Sequence, residues 1–475
     1  MRTSSVGVVA SLAFASCAVG PNYTQPDTQV PARWSAATSA RTSPVSGDIS
    51  RWWRTFGDSL LTDLIEQALQ NSPDARIAEA RLRQARAHAA AAGAARYPSL
   101  SATGSASRTG ATSGLGGLVA TPPSGATTTG VGLSGTQLQA GFDASWEVDV
   151  FGRTRRSVEA AVADRQASEE ALHSAHVLLA AEVARNYYQL RALQSRLQIG
   201  RDNLASQSET LDLAQYRAQA GLVSVQDVEQ ARANQQQTRA QIPTLETSLV
   251  ETEHHLDVLL GKSPGGLHGR LAVAQPLPDL PASVAVTIPA DTLRQRPDVR
   301  AAERSLAAET ARLGVAAAAL YPSFTLSGSI GLEALAGNSA GGVYSLLAGI
   351  TAPLFNGGKL RAQRDEQNAV REQALETYKK AILTALEDVE NALVTFGQIR
   401  ERVDGLANAV SAARSAAQVA HQRYTAGIID FQSVLDTDRT VLSLEDSLAS
   451  SRGDGVLSVV SLYKALGGGW SKEST

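Results

Sequence analysis

The chain has 475 residues, 5% aromatic residues, a single cysteine and a formal charge of −3. The near-neutral balance carries no nucleic-acid footprint, one cysteine cannot form an internal disulfide, and past the N-terminus no apolar run reaches the ~18 residues of a membrane-crossing helix. Ala, Gln, Arg, Glu and Leu dominate long stretches, the composition of extended helices or coiled coil.

Residues 1–16 read as a signal peptide: Arg2 precedes the apolar core Val6 to Ala15. The core ends in Phe14-Ala15-Ser16-Cys17, a match to a bacterial lipobox, so Cys17 is expected to be acylated. Ala18 follows it rather than Asp, which favours outer-membrane sorting. Residues 17–58 form the lipidated N-terminal segment.

Residues 59–261 are expected to fold as a first structural repeat. A helix comes first, then a β-hairpin over 99–150. In 137–150, Leu138, Ala140, Phe142, Ala144, Trp146, Val148 and Val150 alternate with Gln139, Asp143, Ser145, Glu147 and Asp149. That period marks a strand with one apolar face. A weaker alternation covers 99–107, and the Gly/Thr/Ser-rich run 109–136 is the loop between them. From Arg153 to Ile242 there is no proline, and Val183, Leu190, Leu197, Leu204 and Leu211 recur every seventh residue. A strict heptad predicts coiled-coil packing, and one helix is expected over 153–220. Gly221 breaks it where a positive φ is convenient, and a helix resumes near 225. Each long helix therefore belongs to a helical hairpin, with its tip near 221–224.

The Pro- and Gly-rich stretch 262–290 reads as a linker. Residues 291–466 then repeat the first unit. Asn71-Ser72-Pro73-Asp74 returns as Gln295-Arg296-Pro297-Asp298, and Tyr97-Pro98-Ser99 as Tyr321-Pro322-Ser323, both at offset 224. Further on, Gly221-Leu222-Val223-Ser224 faces Gly427-Ile428-Ile429-Asp430 at offset 206, because the loop 334–343 is shorter than its partner 109–136. The second β-hairpin is expected over 323–355, with strands at 324–333 and 345–354. The second heptad is Val389, Phe396, Val403, Val410 and Ala417, and the second tip lies near 427–430. Residues 467–475 are a C-terminal tail. A duplicated unit this long is one architectural half built twice, not a short solenoid repeat.

Strands of about 10 residues with one apolar and one polar face suit a transmembrane barrel with a wet lumen. Four strands cannot close a barrel, and an open edge cannot sit in lipid. Sister copies must supply the rest, and three copies give twelve strands.

Several stretches together resemble the outer-membrane efflux protein (TolC) family, in its lipoprotein branch of NodT and OprM type. They are Cys17 to Tyr23, Trp52-Trp53-Arg54-Thr55-Phe56-Gly57-Asp58, Leu259-Leu260-Gly261-Lys262-Ser263-Pro264, and Ile288 to Glu303 with Tyr321-Pro322-Ser323. The resemblance runs from Cys17 to about Leu466. It implies a mainly α homotrimer: a twelve-strand transmembrane β-barrel, four strands per chain, continued by a twelve-helix periplasmic α-barrel. It implies the exit channel of a tripartite efflux system, lipid-anchored in the outer membrane and spanning the periplasm. The expected partners are a periplasmic adaptor and an inner-membrane transporter of the resistance-nodulation-division type, with small molecules or drugs as cargo. Type I protein secretion and metal-ion efflux are the alternative cargoes. By the same resemblance the periplasmic gate is sought among Tyr424, Asp430, Asp436, Asp438 and Arg439. The adaptor is expected at the tips Gly221, Leu222, Val223 and Ser224, and Gly427, Ile428 and Ile429. Ile429 and Ser433 stand where relatives can carry an Arg and an Asp.

No catalytic constellation stands out, and neither cofactor nor bound metal is expected. His173 and His176 sit three apart on a helix without further ligands, and Lys262-Ser263 after Gly261 lacks a full phosphate-loop pattern. Met1 is the only methionine, so the chain holds no thioether relay for soft metals.

Overall fold

The computed structural model describes residues 18–27, 30–37, 42–43, 49–109, 135–281, 283–286, 289–335 and 340–470. The expected signal peptide, Cys17 and the loop residues 110–134 and 336–339 lie outside the described residues. Short 3-10 turns at Ser35–Ala37 and Trp52–Phe56 flank the two-residue strand β1 (Thr42–Ser43). Helices α1 (Ser59–Asn71) and α2 (Pro73–Ala94) lead into β2 (Ser99–Thr109) and β3 (Gly135–Val148). The long helices α3 (Arg153–Gln219) and α4 (Val225–Leu259) follow, then α5 (His268–Leu271), β4 (Val284–Ala285) and α6 (Pro289–Gln295). Helix α7 (Pro297–Ala318), strands β5 (Ser323–Leu335) and β6 (Gly341–Thr351), and helices α8 (Lys359–Thr425) and α9 (Phe431–Ala465) complete the chain.

The duplication is physical. Helix α7 begins and ends 224 residues after α2, and α8 and α9 begin and end 206 residues after α3 and α4. The described residues form two compact units, one from those within 1–24, 85–165 and 305–374, the other from those within 25–84, 166–304 and 375–475.

In the first unit, four antiparallel strands form one sheet in the order β2-β3-β5-β6. Ala140 pairs with Leu332, Phe142 with Ile330 and Trp146 with Leu326, while Ile330 pairs onward with Tyr344. The register therefore stacks most apolar positions on one face, where Leu100, Phe142, Ile330, Tyr344 and Leu346 are all exposed, whereas Val343 and Leu347 of β6 fall on the other. The opposite face carries Ser101, Thr103, Asp143, Ser329 and Glu333. Among the described residues, the outer edges of β2 and β6 pair with no other strand. Strand ends depart from expectation for local reasons. Strand β3 stops at Val148 because Asp149 turns its carboxylate to accept from the Thr154 and Arg155 N–H groups (3.1 and 2.7 Å), capping α3. Strand β6 starts at Gly341, inside the expected loop, and ends at Thr351, because its partner β5 runs from Ser323 and Pro353 offers no ladder donor. Among the described residues, no helix is long and apolar enough to cross a membrane.

In the second unit the heptad is a packed seam. Val183 and Leu190 are fully buried, Leu197 and Leu211 nearly so and Leu204 half-buried, and in the second heptad Val389, Phe396, Val410 and Ala417 are buried and Val403 half-buried. Each helix has 67 residues, about 100 Å at ~1.5 Å per residue. The largest core gathers Trp52, Trp53, Leu61, Leu64, Tyr187, Tyr188 and Leu256, with Trp52 stacked on Tyr463 at 5.2 Å. The stretch 262–290 is more ordered than a plain connector. Leu267 and Leu271 are fully buried in that core, Val284–Ala285 pairs in parallel with Thr42–Ser43, and α6 already starts at Pro289. Arg296 explains its own motif: buried, it forks onto Asp298 (3.0 and 2.6 Å), bonds Asp388 (3.0 Å) and donates to the Ala465 carbonyl at the end of α9 (2.9 Å). The matching position in the first repeat is Ser72, also buried.

Candidate functional site: the hairpin tips

Both tips are built by one backbone device. The Leu222 N–H donates to the Arg217 carbonyl (2.8 Å) and the Gly221 N–H to the Ala218 carbonyl (2.9 Å). At the second tip, Ile428 donates to Arg423 (2.9 Å) and Gly427 to Tyr424 (3.0 Å). Gly221 and Gly427 both hold φ 73°, a left-handed conformation that a side chain strains. The next helix is then capped by a Ser/Asp pair in opposite order. Ser224 caps α4 in a capping box with Asp227, whereas Asp430 caps α9 by accepting from the Ser433 N–H (3.0 Å) and hydroxyl (2.6 Å). Those Ser433 bonds hold the exposed Asp430 carboxyl below its usual range.

The expected gate residues fall into separate contacts. Tyr424 is buried against Phe431 (5.3 Å between centroids), in a cluster with Leu211, Ala214, Val434 and Leu435; its hydroxyl has no partner among the described residues. Asp436 is exposed, accepts from Gln432 (3.0 Å) and pairs loosely with Arg439 (3.7 Å). Arg439 also donates from Nε to the buried Asn234 of α4 (3.0 Å). Asp438 is half-buried and bonds His421 of α8 (2.9 Å); that bond, first among the causes, lifts the imidazole pKa above its ordinary value. Among the expected tip residues, Leu222 and Ile428 are 73% and 63% exposed, and Val223 and Ile429 are half-buried.

Four contributors escaped sequence reading: Arg217, His421, Asn234 and the bidentate Arg196–Asp446 pair (2.7 and 3.0 Å) that joins α3 to α9. Arg217 lies over the Tyr424 ring (4.4 Å) and donates to the Tyr424 and Thr425 carbonyls (3.1 Å each). Its place four residues before Gly221, matched by Arg423 before Gly427, was an available signal.

At the other end of the chain, residues after Cys17 are seated in the first unit. The Val19 N–H donates to the Phe151 carbonyl (3.1 Å), and buried Arg156 donates to Asn22 (2.6 Å) and the Gly20 carbonyl (3.4 Å). A Cβ on Gly20 would stand 2.6 Å from the Gly314 Cα, so this close approach requires glycine. No group of three or more metal-ligating side chains occurs among the described residues. His173 instead stacks on Trp470 at 4.5 Å.

Residues 64–262 and 288–468 match the model of the outer membrane efflux protein family. The chain is 34% identical over 471 residues to the pyoverdine export outer membrane protein OpmQ of Pseudomonas aeruginosa, covering 98% of this chain and 97% of that one. It is 32% identical over 482 residues to the toluene efflux pump outer membrane protein TtgI of Pseudomonas putida, covering 99% of each. Among solved structures, the outer-membrane channel OprN is similar with a TM-score of 0.87 at 35% identity, over 96% of this chain and 100% of that one.

Proposed function

Because the chain belongs to the outer membrane efflux protein family, we propose that it is the outer-membrane exit duct of a tripartite pump, passing small molecules without chemistry of its own. One observation carries this reading: a four-stranded sheet with an exposed apolar face and two edges that pair with no other strand among the described residues. Such a sheet suits lipid only when other copies cover its edges. Three copies pool twelve strands and the twelve long helices of α3, α4, α8 and α9. Names of relatives that export pyoverdine or toluene support small-molecule cargo over protein. A periplasmic adaptor would meet the exposed Leu222 and Ile428, and an inner-membrane transporter would supply the energy.

Cys17 is the acylation site in this reading. The seat at Val19 and Arg156 would hold the lipid anchor beside Phe151, at the foot of β3. Palmitate labelling that persists in Cys17→Ser would refute the assignment. Among the three gate acids, Asp436 keeps the freest carboxylate, so three copies of it would line the closed mouth and repel one another on a narrow axis. Purified protein in planar bilayers should conduct, and Asp436→Ala should change that conductance. A monomer with no pore activity would sink the duct reading.

A further inference from the structure

We propose that Arg423 is a clip between copies of this chain, its guanidinium docking on the Ala218 and Gln219 carbonyl oxygens of a neighbouring copy. The inference rests on the trimeric duct described above. Its template is inside the chain. Arg217, four residues before Gly221, forks onto the Tyr424 and Thr425 carbonyls in the last turn of α8 (3.1 Å each). Those acceptors are main-chain atoms, and carbonyls of a final helical turn lack helical donors and carry the negative end of the helix dipole. An acceptor pair of this kind does not depend on side-chain identity. Helix α3 ends with the same motif, so Ala218 and Gln219 present the same two carbonyls.

The donor is duplicated as well. Arg423 stands four residues before Gly427, at the position of Arg217 in the other repeat. It is exposed, and its guanidinium makes no hydrogen bond or ion pair among the described residues. In a ring that alternates first and second hairpins, the contact from first to second occurs within a chain. The contact from second to first occurs across a chain boundary. Arg217 makes the former, and Arg423 is placed for the latter.

The two joints differ in one respect. Arg217 also lies on the Tyr424 ring at 4.4 Å, and the residue in the place of Tyr424 at the first tip is Ala218. The clip between copies keeps the carbonyl fork and loses the aromatic face. The ring thus alternates strong and weak joints, and it parts at the boundaries between copies.

The test uses the full-length protein carrying Gln219→Cys with Arg423→Cys, treated with a flexible bis-maleimide, and each single variant as control. Native mass spectrometry of the same sample reports the oligomer. Covalent dimers and trimers on a denaturing gel, from the double variant alone, are the expected result. A native trimer that yields only monomeric bands overturns the clip and leaves the duct reading standing; a native monomer overturns both. In bilayers, Arg423→Ala should raise open-state occupancy roughly tenfold, as for loss of a charge-assisted hydrogen-bond pair, with Arg423→Lys in between. An Arg423→Ala channel with wild-type occupancy counts against the clip.

Discussion

The two hairpin tips share a backbone and differ in what lies beneath it. Their helix ends, positive-φ glycines and hydrogen bonds agree residue for residue at offset 206. Yet the second tip has an aromatic core, with Tyr424 and Phe431 buried, while the matching residues Ala218 and Val225 leave the first without one, and Val225 is 74% exposed. Duplication preserved the turn, whose geometry the backbone dictates. Packing under it diverged, because one tip must hold the other. Arg217 reaches from the plain tip onto the aromatic one, so the aromatic ring serves as a platform as well as core.

The largest expected effect comes from removing that platform. Tyr424→Ala should cost about 3 kcal/mol, as for other buried aromatic truncations, and hydrogen exchange should accelerate at 424–435 more than at 218–229. Equal acceleration at both tips would break the contrast. Tyr424→Phe is the sharpening control: the hydroxyl has no partner among the described residues, so protection should stay within about 0.5 kcal/mol of wild type.

Next come the glycines. Gly221→Ala and Gly427→Ala should each destabilise the chain by about 1–2 kcal/mol, because both force a Cβ into the left-handed region. Denaturant midpoints that move by the same amount support a shared turn. A harmless change at either one would mean that the tip there relaxes freely.

The smallest effect is a pH dependence confined to the second tip. His421 has its pKa raised above 6.5 by Asp438. The stabilisation is therefore complete below pH about 6.5 and is lost as pH rises through the raised folded value. The pair is partly solvated, so its worth is at most about 1 kcal/mol. Stability measured at acid and alkaline pH should lose this difference in Asp438→Asn, and a profile unchanged by that substitution removes the pair from the account.

Much of the site was legible and some was not, for identifiable reasons. The tip positions followed from Gly221 and Gly427, since a left-handed helix stop is a local requirement. Tyr424 could be singled out in the sequence, but its burial beneath Arg217 could not. Asp430, Asp436 and Asp438 look alike in sequence. Folding sets them apart, by a cap, by exposure to water and by a histidine partner on another helix. Strand β6 was misplaced at both ends because its limits come from pairing with β5, a partner relation that alternation alone cannot register.

The sequence by itself determined the duplicated halves, the heptad seams and the two-faced strands. All three are periodic, and periodicity fixes which residues share a side before any contact forms. Only the tertiary structure decided that Arg296 ties the end of α9, that Leu267 and Leu271 enter the core, and that Arg217 grips the carbonyls of α8. Those contacts join residues distant along the chain, many through main-chain atoms that every residue carries, and such acceptors leave no trace in a string of side chains.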